Sequence, residues 1–304
     1  MEKKESFIDK YAKILVVIAV LCGAFSGSFG ALISAPVQVI GFWRLAFALP
    51  FFLIIVLSSK EKRNNLKEVS KKDFSLCLLT GFFLFGHFYS WYSAVKLTNV
   101  SAAACLASFH PLVVIFVIVF IYKKKVSWKS IVSIVCALLG GAVIVCSDLA
   151  ALETSKTSGN IFALFAGIFM GVYFAMGVKL RRKMDGSVYV LLVFFGTFLS
   201  FFICNLIMGT PFFGYPARDY LYILCVAIIC QIGSHAMWNL CMGKVSPLYV
   251  STWETMDPVF ATILAVIMVK QLPTTYEIIG CIIVVVSILF YNKFERERHV
   301  QSEA

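Results

Sequence analysis

The sequence predicts an all-α polytopic membrane protein, with ten transmembrane helices forming two inverted five-helix repeats. Three observations carry that reading. The 304-residue chain is 60% hydrophobic and only 14% charged, whereas a water-soluble chain is nearer half apolar and about a quarter charged. Its basic residues alternate in step with ten apolar runs. Several residues of the first half also recur, in order, in the second.

An α-helix needs about 20 apolar residues to cross roughly 30 Å of hydrocarbon. Breaks at charged or turn-forming residues place the spans at 13–34, 37–58, 74–95, 99–122, 127–147, 159–179, 187–208, 219–241, 246–269 and 275–292. The first run is too long for a cleavable signal, and its leader "MEKKESFIDKYAK" mixes acids with bases. Residues 1–12 and 293–304 are then expected as tails, 13–147 as the first five-helix repeat and 159–292 as the second.

Charge sets the orientation. With the N-terminus in the cytoplasm, all but five of the 27 Lys and Arg residues fall on the cytoplasmic side. Lys96, Lys156, Arg218 and Lys270 lie opposite, and Arg44 lies inside the second span. This is the positive-inside pattern. Both termini are therefore expected in the cytoplasm, and the protein in the plasma membrane (the inner membrane of a Gram-negative cell). The net charge of +11 reads as attraction to anionic lipid heads, not nucleic acid.

Ten cysteines all fall within apolar runs, with no C-x-x-C and no Cys/His cluster of zinc spacing. Packing is expected of them, with no disulfide, metal or cofactor.

The repeat rests on ordered matches. Pro111 and Pro258, Trp91 and Trp238, and Lys123 and Lys270 are separated by one common interval, and "GAFSG" at 23–27 answers "GIFMG" at 167–171. Five spans per unit is odd, so the second unit enters the membrane in the opposite sense. Repeats of this kind build transporters with a site near the midplane.

Ionisable groups inside spans mark candidate sites, because each costs about 2.5–3.5 kcal/mol at a helix centre. Arg44, His87, His110, His235, Glu254 and Asp257 qualify. From a span start near Ser246, Glu254 lies ~12 Å deep and Asp257 ~16 Å deep at 1.5 Å per residue. Their spacing of three puts them on one helical face, with Trp253 beside them. His110 precedes Pro111 as Asp257 precedes Pro258. His87 and Trp91 share one face of the third span, and Gln231, His235 and Trp238 share one face of the eighth. Interhelical packing is the alternative for the lone histidines, and Arg44 either faces the cavity or snorkels to the interface. The prolines either free carbonyls for a ligand or simply kink the helix, and the glycines of the two matched motifs read as close-packing sites.

These ten spans, with the segments "VSAAACLASFHPLVVIFVIVFIY" and "VSPLYVSTWETMDPVFATILAVIMVK", resemble the drug/metabolite transporter superfamily, specifically its EamA group. The resemblance runs from about residue 13 to 292. It rests on a small-residue run, a mid-helix proline, a long aliphatic stretch and a glycine in the next span ("LLGG" at 138–141, and Gly280). Arg44, in "GFWRLAFALP", matches an arginine common in the group's second span, and Asp257 matches a common acid before the second proline. The resemblance implies export or exchange of small organic metabolites, often amino acids or nucleotide-linked compounds. Two departures stand out. Lys123 and Lys270 occupy positions where the group usually has glutamate, which puts the helix ends in question. The first span lacks the acid by which small multidrug members capture cations, which disfavours that route.

The expected function is secondary transport of a small polar metabolite, amino acids or related compounds, in the export direction and by alternating access. The binding residues would be Arg44, His87, Trp91, His110, His235, Trp238, Trp253, Glu254 and Asp257. A zwitterion suits Arg44, the two acids and three Trp faces. The rivals are an importer or exchanger of a nucleotide-linked metabolite, with phosphate on Arg44 and outer lysines, and a membrane-embedded enzyme using the acids and a histidine. The chain has no P-loop and no paired-aspartate motif, so neither ATP-driven transport nor enzymatic activity is expected. Expected partners are a small-molecule substrate, membrane lipid and protons as a candidate coupling ion, in a monomer or homodimer.

Overall fold

The computed structural model describes residues 7–110, 113, 128–150, 154–241, 245, 253–254 and 256–303. Its helices are α1 (Phe7–Leu32), α2 (Val37–Ser58), α3 (Lys60–Glu68), α4 (Lys71–Leu97), α5 (Val100–Ala107) and α6 (Trp128–Ala150). The second half supplies α7 (Thr154–Leu180), α8 (Gly186–Ile207), α9 (Ala217–Cys241), α10 (Asp257–Val269) and α11 (Thr275–Glu303). Stretches of α1, α2, α4, α7, α8 and α9 are each long and apolar enough to cross a membrane. α6, α10 and α11 contribute shorter apolar stretches at Val135–Ile144, Asp257–Val269 and Thr275–Phe290. α5 opens the expected fourth span, whose continuation, with Pro111 and Lys123, lies outside the described residues, as does 246–252 of the ninth.

Short polar caps start several helices. Ser70 Oγ accepts from the Asp73 N–H at 3.0 Å to open α4, and Asp185 accepts from the Ser187 N–H at 2.8 Å to open α8. α3 is a helix that hydrophobic periodicity does not announce, because it buries none of its residues.

The long helices are apolar on two faces. On α1, Val16, Ala19, Val20 and Ala24 are buried while Ile14, Ile18 and Leu21 are exposed; on α8, Val190, Phe194 and Phe201 are buried while Leu199, Phe202 and Leu206 are exposed. The outward set meets lipid. Lipid is as apolar as leucine, so helix association depends on close packing. α6 and α11 show how close: a Cβ on Gly140 would lie 3.0 Å from the Gly280 carbonyl oxygen, and one on Gly280 would lie 2.7 Å from that of Gly140.

The main helix contacts come in matched sets. α1 packs on α9 as α7 packs on α4; α1 meets α10 as α7 meets α5; and α2 packs on α8, α5 on α10 and α6 on α11. Exchanging α1, α2, α4, α5 and α6 for α7, α8, α9, α10 and α11 maps these pairs onto one another.

Two buried carboxylates and a lysine fix the ends of the bundle. Asp219 at the start of α9 accepts from Ser34 Oγ at 2.6 Å and the Ala35 N–H at 2.8 Å, while Lys96 Nζ donates to the Ile33 and Ala35 carbonyls at 2.9 and 2.7 Å. Together they pin the α1–α2 turn. Glu277 accepts from Asn99 Nδ2 and the Thr274 N–H, both at 2.7 Å. The helix end questioned at Lys270 is closed by that residue adopting φ 63°, with the Gln271 side chain accepting from the Val100 N–H at 3.2 Å.

Candidate substrate cavity

The local chain explains where the polar groups stand. Met256 caps α10, so Asp257 and Pro258 occupy its first turn. A proline there gives up an N–H that has no intrahelical partner anyway, and the helix's positive end favours a carboxylate. The sequence reading placed Pro258 in mid-helix; the structure places it at a helix start. Trp253 and Glu254 belong to a separate helical turn, joined to α10 by the Met256 N–H donating to the Trp253 carbonyl at 2.9 Å. α5 is interrupted at the matching point by the turn at Ser108–Phe109 that precedes His110.

Between these interruptions and α1, α4, α7 and α9 lies a cavity of about 80 Å³, room for a small solute or a few waters. His87, Trp91, His110, His235, Trp238, Glu254 and Asp257 line it, joined by Gly23, Ser26, Phe88, Ser108, Met170 and Ser234. His110 Nε2 lies 3.3 Å from Glu254 Oε2, linking the two halves across the cavity. Glu254 is 7% exposed and its Oε1 has no partner among the described residues. The glycines of "GIFMG" seat His110: a Cβ on Gly167 would lie 2.8 Å from the Ala107 carbonyl oxygen, and one on Gly171 would lie 2.8 Å from that of His110.

Two predicted residues stand off the wall. Trp253 packs against the apolar core. Arg44 is wholly enclosed, with 0% exposure, so it does not snorkel. Its Nε donates to Gln231 Oε1 at 2.5 Å and its Nη1 to Tyr92 Oη at 2.7 Å, with the guanidinium 3.9 Å from the Phe88 ring centre. Delocalised charge, planar donors and weak hydration suit a guanidinium to such a pocket. Tyr92 Oη lies 3.3 Å from Ser26 Oγ, which accepts from Trp91 Nε1 at 3.2 Å, so a polar chain runs from Arg44 to the cavity wall.

The histidines form an aromatic wall. His87 Nδ1 lies 2.9 Å from the Ala166 carbonyl oxygen, and its ring centre is 6.0 Å from that of His235. His235 stands edge-on to Phe88 at 4.9 Å and to Trp238 at 6.0 Å. α9 winds as a π-helix over Val226–Ala236, a rare form frequent at functional sites. The wider turn alters the expected face: Gln231 turns to Arg44, and Ser234 joins His235 and Trp238 on the wall.

Sequence reasoning missed Tyr92, Phe88, Ser26 and Ser234 at the site, and the buried carboxylates Asp219 and Glu277. A signal existed for Glu277, since "TTYE" has the capping-box spacing from Thr274 to Glu277. Tyr92 gives none, because an aromatic in an apolar span is unremarkable until its hydroxyl has a partner.

Apolar helices around a buried cavity lined by carboxylates define a multi-pass membrane protein. The chain matches the EamA-like transporter family twice, over residues 10–146 and 157–293, and belongs to it. It is 25% identical to an "Uncharacterized transporter" of Clostridium kluyveri over 69% of this chain and 70% of that one. It is 22% identical to "Uncharacterized transporter YxxF" of Bacillus subtilis over 90% of this chain and 86% of that one. A solved crystal structure shares the fold with a TM-score of 0.65 at 17% identity, covering 93% of this chain and 97% of that chain.

Proposed function

We propose that this transporter is a secondary carrier of amino acids or related amine-bearing metabolites. It exports them by alternating access at a midplane site between two inverted five-span halves. In this reading the chain crosses the plasma membrane ten times with both termini in the cytoplasm, which the alternation of basic residues along the chain supports. The matched helix contacts and the two family matches support the paired halves.

One observation carries the substrate class: Glu254 and Asp257 both line the cavity, and Glu254 keeps an oxygen without a partner among the described residues. Buried carboxylates call for a cation, a proton or a charged ligand, and a substrate ammonium meets that need. Flat rings of Trp91 and Trp238 complete the enclosure. A nucleotide-linked substrate fits less well. Among the described lining residues there is no lysine or arginine, and Arg44 and Lys96 are already engaged.

Counterflow in proteoliposomes, with labelled amino acids against nucleotide-linked sugars, tests the reading. Accumulation of an amino acid, with loss in Asp257→Asn and Glu254→Gln, is expected. Normal rate and selectivity in both variants would remove the proposal.

A further inference from the structure

The acids occupy one side of the cavity, and the opposite side has its own unsatisfied chemistry. Ser234 Oγ, His235 Nδ1 and Trp238 Nε1 are all buried and have no hydrogen-bond partner among the described residues. Their residues are 1%, 8% and 8% exposed, and all three line the cavity. A tryptophan N–H can only donate, a serine hydroxyl donates readily, and an imidazole nitrogen donates when it carries the proton. Buried groups of this kind are ordinarily paired, so three together on one wall mark a place where a ligand supplies the acceptors.

The layer behind them has the same polarity. Gln231 Nε2 and Arg44 Nη2 are buried and have no partner among the described residues, while Gln231 Oε1 is taken by Arg44. The guanidinium thus lends positive potential to the donor wall without touching the cavity.

Gly23 joins the two sides. The point where a Gly23 side chain would begin lies 2.8 Å from Ser234 Oγ and 3.7 Å from Asp257 Oδ1. A donor and a carboxylate therefore both stand close to one bare stretch of α1, near enough for the two ends of a single small head group to meet them.

We propose that Ser234, His235 and Trp238 form a carboxylate-binding subsite, and that an α-amino-acid head group sits over Gly23 between that subsite and Asp257. This rests on the transport reading above and adds a specificity the acids alone do not supply. Neutral donors backed by one enclosed cation match a monoanion better than a phosphate, which needs facing cations. A site built to hydrogen-bond a group rejects the analogue lacking it, because its buried donors are then left unpaired.

The test uses the full-length protein in proteoliposomes. The probes are alanine, threonine and phenylalanine, each beside its carboxamide, which keeps the ammonium and loses the negative charge. The wild type should prefer the free acid by roughly tenfold or more in counterflow competition. Ser234→Ala and Trp238→Phe should each shrink that ratio by about threefold or more. Glu254→Gln should weaken acid and amide together and leave the ratio in place. The ratio is read only on variants that elute as monodisperse protein, and two independent substitutions on the wall guard against the loss of one. Equal transport of acid and amide by the wild type, or an unchanged ratio in both wall variants, would overturn the subsite while leaving amino-acid transport standing. No counterflow of any probe would overturn both.

Discussion

Arg44 and the pair Glu254 and Asp257 are charges carried into an apolar bundle, yet the fold holds them in opposite ways. Arg44 lies within an unbroken helix at zero exposure, closed in by a phenol, an amide and a phenyl ring. The acids lie where helices are interrupted, beside a cavity, with Asp257 in the first turn of α10. Insertion penalties of similar size, about 2.5–3.5 kcal/mol each, meet two different solutions. Enclosure makes a charge part of the scaffold, whereas a cavity leaves it available for exchange. Stability should follow the first and transport the second.

The largest effect is expected at Arg44. Arg44→Ala removes a large buried side chain and strands the Tyr92 hydroxyl and the Gln231 amide, lowering stability by about 3 kcal/mol or more. Thermal unfolding of the purified protein in detergent measures it, and a wild-type midpoint would erase the distinction between enclosed and available charges. Asp257→Asn and Glu254→Gln should show the reverse pattern. Stability stays within about 1 kcal/mol while counterflow falls roughly tenfold or more; matched losses of both would mean that the acids are scaffold too.

A finer division runs through His110, which faces Glu254 across the two halves. His110→Gln keeps a donor for that carboxylate and His110→Ala does not. The two should differ by about 1 kcal/mol in the transport step, or several-fold in rate, with glutamine the better. Equal rates would assign His110 to packing against Phe174, whose ring centre lies 5.5 Å away. The smallest effect lies at the far end of α10. Lys270→Gly relieves a left-handed residue and should raise stability by about 0.5–1 kcal/mol, visible only as a small upward shift in the melting midpoint.

Much of this arrangement could be read from the chain before the coordinates. Apolar length and basic alternation located the long helices, and α2 falls on the expected 37–58. The cost of charge in hydrocarbon picked out His87, His110, His235, Glu254 and Asp257, which the fold gathers around one cavity. What escaped was set by tertiary neighbours. α3 buries no residues and so leaves no hydrophobic stripe. The π-helical stretch of α9 has no local sequence mark, yet it decides that Ser234 faces the cavity and Gln231 faces Arg44. Whether Arg44 would snorkel or turn inward depended on Tyr92 and Gln231, partners 48 and 187 positions away.

Those same separations bear on how the chain is made. The second helix must leave the insertion machinery with a guanidinium whose acceptor amide belongs to α9 and has not yet been translated. Until that late helix docks, Tyr92 and Phe88 of α4 are the partners within reach of the guanidinium. Any nascent chain cut short before Gln231 therefore carries that guanidinium without its amide acceptor.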